Sequence, residues 1–315
     1  MTFINVKDSP AMKYFEHTMG QNDSLISRMS MVWGLEPALW HKEWCLAPTE
    51  LLAKEMRREA EEKKEAVDNI FINLRSREIS GLLAWRNDKN IYALDKTVSA
   101  LLANQDSFDD SITSDMLTLP HMCTFIKVPS TSKMNGMFVF YNDLFMKDHR
   151  ELCMIPITKE GHLISPIFNV FTPYKPTPLN QVIADYLYES KSASEKLKTV
   201  ENKRTLAKIY KELGYWITYV FNVLLYLNAT NAELRQTRKE GYVPKVTSLR
   251  DSYLQIKPVA VGEVSGLMIR NKIAEYRKQG MTYDKPASHF ETFIDTDGTK
   301  KIMWVSGLGN ENIQP

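Results

Sequence analysis

Cysteine is scarce in this chain. Cys45, Cys123 and Cys153 are odd in number and far apart, with no C-x-x-C pair. That excludes a disulfide framework and a close-spaced structural zinc site, and predicts reduced, mostly buried thiols. An excess of one charge is missing too: 40 Lys and Arg face 38 Asp and Glu, for a net +2. So balanced a chain makes no strong case for direct DNA binding or for wrapping duplex RNA. Long apolar runs are absent. The longest, Leu213 to Leu227, is interrupted by Thr218 and Asn222 and falls short of the ~20 residues a bilayer span needs. Met1 to Asp8 holds no basic stretch followed by an apolar one, so no signal peptide and no membrane partner are expected, and the cytoplasm is the expected location.

The chemical motifs are missing as well. No G-x-x-x-x-G-K-[ST], no G-x-G-x-x-G after a strand and no H-E-x-x-H occurs, which removes the usual phosphate cradles and zinc hydrolase sites. His17, His41, His121, His149, His162 and His289 never stand at ligand spacing. Asp295-Thr296-Asp297-Gly298 opens like a calcium loop, but Gly stands fourth and no Glu stands twelfth. Asp-Gly reads instead as a hairpin turn. No catalytic residue, metal ligand or cofactor site is assigned, and an enzyme is not expected.

What is present is an ordinary globular composition, 43% hydrophobic and 25% charged. Residues 1–44 read as irregular or weakly helical but hold Met29, Met31, Trp33, Trp40 and Trp44, aromatic mass that belongs against a body or a partner. From Pro48 and a capping Thr49, the stripe Leu52, Met56, Ala60, Val67, Phe71, Leu74 predicts helix, continuing or restarting through Trp85. Arg57/Glu61, Arg58/Glu62 and Glu59/Lys63 form its solvated face. Between Asn87 and Pro120 six Asp meet two Lys, around a short helix from Asp95 to Ala103. Strands are predicted at Cys123–Val128, Gly136–Tyr141, Leu152–Thr158 and His162–Phe171, the last two turning on Gly161 at positive φ. Thr177 is expected to cap a helix with Pro178 at its first position and Leu179, Val182, Ile183 and Tyr186 on its apolar face. Residues 187–211 set seven basic side chains against three acidic ones on a long helix or helix pair reaching Leu227. A strand at Tyr253–Val261, a helix at Val264–Gln279 stopped by Gly280, and a hairpin His289–Ile294 with Lys301–Val305 complete the chain. Strands cluster without β-α alternation. The prediction is an α+β fold with a central antiparallel sheet of about four strands, several long helices and a C-terminal hairpin. Residues 1–120 would form a mainly helical part, and 121–315 a sheet with helices, packed as one body.

Several short strings resemble a known family in order along the chain. They are Ala84-Trp85-Arg86-Asn87, Ile91-Tyr92, Leu94-Asp95, Leu119-Pro120 before Cys123, Gly136 before an aromatic strand, and the helix Leu179–Tyr186. Then come Val261-Gly262 with Gly266, Ile269-Arg270 and Tyr276, and finally Trp304. Together they resemble the second family of type V-A anti-CRISPR proteins, carried by phages, plasmids and other mobile elements. Where that family ends rich in His, Arg and Trp, this chain keeps His289 and Trp304 and has Phe290 and Phe293. The resemblance implies a binding protein that suppresses a type V-A effector nuclease in the bacterial cytoplasm. Its partner would be the effector protein or its nascent polypeptide, met at the ribosome, and its effect a lowered effector level.

The residues themselves give plainer readings. Trp85 ends an apolar face and reads as core. Arg86 is expected to pair with Asp88 or Asp95 as a clamp. Gly262 and Gly266 allow close helix packing, and Ile269, Ile273 and Tyr276 form its buried stripe. Arg270 and Arg277 are expected to point outward together. The partner-binding candidates are Trp85, Arg86, Asn87, Tyr92, Asp95, Arg270, Arg277, His289 and Trp304. An RNA-associated or ribonuclease-like protein, using the basic stretch and aromatic stacking, is the alternative.

Overall fold

The computed structural model describes residues 9–35, 49–129, 134–142, 148–163, 168–195, 200–236, 257–280 and 288–306. Four helices open the chain: α1 (Pro10–Gln21), α2 (Asp23–Leu35), α3 (Thr49–Lys63) and α4 (Asn69–Asp88). The first two are regular helices in a stretch read as irregular or weakly helical. Pro10 supplies a fixed φ at the start of α1, and Ala11, Met12, Phe15 and Met19 bury one stripe of it. Met29 of α2 is buried as well, while the side chains of Met31 and Trp33, and residues Trp40, Trp44 and Cys45, lie outside the described set. The predicted stripe from Leu52 to Leu74 is split. Lys64 takes φ 55° and ends α3, and Asp68 caps α4, accepting from Ile70 N at 2.9 Å and Phe71 N at 3.1 Å.

The sheet is larger than expected and mixed. Its strands are β1 (Asn90–Leu94), β2 (Cys123–Lys127), β3 (Met134–Asn142), β4 (His149–Thr158), β5 (Phe168–Pro173), β6 (Leu234–Gln236) and β7 (Lys257–Val261). They stand in the order β5-β4-β3-β2-β1-β7-β6, seven strands where about four were predicted. β2 to β5 form the antiparallel meander read from sequence. β1 runs parallel to both its neighbours, with Ile91 opposite Phe125 on one side and Pro258 on the other. Alternation along the strands feeds two cores. Ile91, Cys123, Phe125, Phe138, Phe140, Cys153 and Ile155 face α1–α4, where Trp85 is fully buried edge-on to Phe15 and Phe138.

Tyr92, Leu94, Ile126, Val139, Leu152, Val259 and Val261 face the opposite layer. That layer holds α5 (Lys96–Asn104), α6 (Leu179–Glu195), α7 (Val200–Asn228) and α8 (Glu263–Lys278), with the hairpin β8 (His289–Ile294) and β9 (Lys300–Val305). The run from Val220 to Tyr226 is buried residue after residue, and its one amide, Asn222, donates to Leu102 O at 2.9 Å and Gln105 O at 2.7 Å. Thr177 does not cap α6; its hydroxyl donates to Lys175 O at 2.9 Å. The hairpin turns on Gly298 at φ 80°, with Asp297 accepting from Thr299 N at 2.8 Å. Both its Asp carboxyls are held below the usual range by these turn hydrogen bonds, Asp295 mainly by Lys301. Among the described residues no helix is long and apolar enough to cross a membrane, and no group of His, Cys, Asp and Glu is placed to hold a metal ion.

Candidate functional site

β1 and β7 lie side by side and parallel, and each hands its chain to a helix, α5 and α8. Paired helix starts at the carboxyl ends of parallel strands are where α/β sheets gather anions, because free N–H groups point outward there. Here both starts are filled by the chain's own carboxylates. Asp95 accepts from Thr97 N at 2.7 Å and Val98 N at 3.4 Å, capping α5. Glu233 reaches over from the start of β6 and accepts from Val264 N at 3.0 Å and Ser265 N at 2.9 Å, capping α8. Thr97 N, Val98 N, Val264 N and Ser265 N are therefore already answered.

The same carboxylate ties the two helices together. Arg270 Nη1 donates to the two oxygens of Asp95 at 2.8 and 2.9 Å and to Thr97 Oγ1 at 2.7 Å. Only glycine permits this approach. A Cβ on Gly266 would lie 2.0 Å from Asp95 Oδ1, and one on Gly262, at φ 70°, 2.7 Å from Val98 Cγ2. Tyr226 lies beneath, its hydroxyl pushed up to about 12 by burial. Tyr219 is pushed well up for the same reason and shares a hydrogen bond with Ser99 at 2.8 Å.

The candidates scatter over three places. Trp85 is core on the far face of the sheet, its Nε1 donating to Asn90 O at 3.0 Å. Arg86 is exposed at the end of α4, and Asp95 pairs with Arg270 in its place. The Asn87 side chain lies outside the described set. Tyr92 is buried, its hydroxyl 3.1 Å from His121 Nε2. Asp95 and Arg270 form the clamp, so Arg270 turns inward and only Arg277 is exposed as expected. His289 is exposed on β8 beside Glu291. Trp304 is buried edge-on to Tyr226, and its backbone exchanges hydrogen bonds with Asn231 at 2.8 and 3.0 Å. Asp95 and Arg270 meet in the clamp and Trp304 joins it through Tyr226, while Tyr92 and the others lie elsewhere.

The exposed side of that clamp is the outer face of α8. Val264, Leu267 and Met268 are 38%, 51% and 47% exposed, beside Leu234 of β6 at 43%. Spacing of three and four residues sets the helix residues on one stripe. These side chains form an exposed apolar stripe on a clamped helix. The signal was in the sequence: once Ile269, Ile273 and Tyr276 fill the inner stripe, Val264, Leu267 and Met268 have no place in the core.

Comparison with known proteins places the chain and its fold. A model of the anti-CRISPR type V subtype A2 family, described as AcrVA2-like, matches residues 92–290. That span runs from β1 to β8 and contains Asp95, Gly262, Gly266 and Arg270. Among solved structures, a crystal structure of AcrVA2 superposes with a TM-score of 0.55, covering 94% of this chain and 96% of that one at 14% identity. At that identity the likeness is one of fold. No curated protein matches the chain in sequence.

Proposed function

The chain belongs to the anti-CRISPR type V subtype A2 family, and from that membership we propose that it restrains a type V-A CRISPR effector by binding the effector's polypeptide on the outer face of α8. The observation that carries the reading is the stripe Val264, Leu267 and Met268 with Leu234, apolar and exposed on a helix that Asp95 and Arg270 hold in place. A clamped helix presents such side chains with little ordering cost on binding. In this reading the polypeptide is met as it is made, in the cytoplasm of the host cell, and the effector's level falls.

The test is co-expression of the tagged protein with a type V-A effector, followed by affinity capture and measurement of effector protein and message. Leu267→Asp and Met268→Asp place charge in the stripe, and capture is expected to fall by at least about tenfold. Folding stability should stay within about 0.5 kcal/mol, since both sites are on the surface. Sedimentation with translating ribosomes checks the nascent-chain step. Unchanged effector level and message beside the wild-type protein would end this reading.

A further inference from the structure

We propose that the open edge of β6, with the near flank of α8 above it, takes an added strand from an extended polypeptide whose residues alternate apolar and acidic. β6 ends the sheet on the side opposite β5. Gly262 N donates to Glu233 O at 3.0 Å, which fixes the alternation of this antiparallel pair. Arg235 turns its backbone groups inward to β7, and Leu234 and Gln236 turn theirs outward. Among the described residues no backbone group bonds to that outer side, and Leu234, Arg235 and Gln236 are all exposed. An edge of unpaired N–H and C=O groups is a template for another strand.

The edge differs in character on its two faces. Leu234 stands opposite Val261, which is buried in the core that Ile269 of α8 joins, so the 43% exposed Leu234 side chain lies on the α8 face. On α8, Gly266 and Arg270 meet Asp95. At 3.6 residues per turn, Val264 and Met268, two residues away from these, stand on the opposite flank. That flank is the β6 side, since Glu233 reaches across to Val264 N and Ser265 N. Leu234 is thus the floor, and Val264 and Met268 the wall, of an exposed apolar step beside the edge.

Arg235 stands on the other face, opposite Ala260. Its side chain is 63% exposed, and among the described residues it meets only Glu233, with Nε 3.9 Å from Oε1. Both Glu233 oxygens are already taken up by the first turn of α8. An antiparallel strand added to β6 sets one residue directly opposite Arg235 in a close, non-hydrogen-bonded pair, where an oppositely charged side chain is favoured. The residues before and after it lie across from Leu234 and Gln236 and point to the α8 face. The edge therefore fits an extended chain of apolar, acidic and apolar residues in turn, bound through its backbone and selected by its alternate side chains.

That the segment belongs to the effector rests on the function proposed above; the surface itself does not. The experiment uses the full chain on an array of short peptides that alternate Leu with Glu, alternate Leu with Lys, or hold the same Leu and Glu in separate blocks, beside tiles of a type V-A effector. The Leu–Glu alternation should be captured at least about tenfold better than the other two. Arg235→Glu should turn the preference from Glu to Lys peptides. Gln236→Pro removes an outward N–H and spares the ladder to β7, and should lower capture at least about tenfold. Urea midpoints like that of the wild type show that both variants fold. Equal capture of Glu and Lys peptides or of alternating and blocked ones, capture unchanged by Gln236→Pro, or no capture at all would overturn the proposal. Effector binding lost in Leu267→Asp but kept in Arg235→Glu and Gln236→Pro would overturn it too, and leave the proposed function standing. Alternating peptides captured beside blank effector tiles would support the surface and count against the effector as the source.

Discussion

Asp95 performs two tasks that substitution can separate. It caps α5 and it holds Arg270 of α8. Asp95→Asn keeps a good capping side chain and removes the charge; Asp95→Ala removes both. Side-chain exposures of 11% for Asp95 and 33% for Arg270 place the pair between a surface bridge and a buried one. A charge-assisted pair of this kind contributes about 1–2 kcal/mol, and loss of the cap costs about 1 kcal/mol more. Asp95→Asn should therefore cost about 1–2 kcal/mol and Asp95→Ala about 2–3 kcal/mol, with midpoint shifts of roughly 2 °C per kcal/mol for a chain of this size. Thermal and urea unfolding followed by circular dichroism read both. A double-mutant cycle with Arg270→Met should give a coupling of about 1 kcal/mol. If Asp95→Asn matches wild type within about 0.5 kcal/mol, or if Asp95→Ala is no worse than Asp95→Asn, the clamp or the cap is not what holds α5 against α8.

Two further outcomes follow from the buried charges. Glu151 is fully buried and accepts from Arg77, Asn142 and Asn169; Glu151→Ala leaves Arg77 unanswered and should cost about 3 kcal/mol in urea unfolding, a loss under about 1 kcal/mol arguing against the network. Lys89 is lowered from 10.5 to about 8 by burial and by Arg86, with Glu16 acting in the opposite sense. Between those values the unfolded chain binds more protons than the folded one, so stability rises with pH from about 8 to about 10.5, and the penalty is fully present below 8. Lys127, also lowered by burial, adds to the rise. Tyr226, raised to about 12, reverses the sign above pH 10, where the unfolded phenol ionises first. Lys89→Met should remove the larger part of the rise in urea midpoints between pH 8 and 10, and an unchanged slope would refute the assignment.

The legible parts of the fold are those set by local pattern. The β2–β5 meander, α5, α8 with its Gly280 stop and the Asp-Gly hairpin all stand close to where periodicity and turn residues placed them. β1 was not legible. Asn-Ile-Tyr-Ala-Leu sits between two helices and becomes strand because β2 and β7 pair with it on either side. β6 has only three exposed residues and carries no pattern. Arg270 was read as outward because its partner, Asp95, lies 175 residues earlier. The glycines of α8 did announce close packing, though not the carboxylate they make room for.

The position of β1 also bears on how the molecule comes into being. One flank is filled by β2, about 30 residues later, and the other only by β7, more than 160 residues later. A chain emerging in order can fold α1–α4 and the meander first, but β1 keeps one edge unsatisfied until residue 261 is available. Contacts this distant in sequence make assembly slow, and an open parallel edge invites pairing with other chains. Stop codons or stalls between residues 173 and 257 should therefore yield sticky fragments rather than partly working ones, and α8 becomes usable only after both β7 and residue 278 have been made.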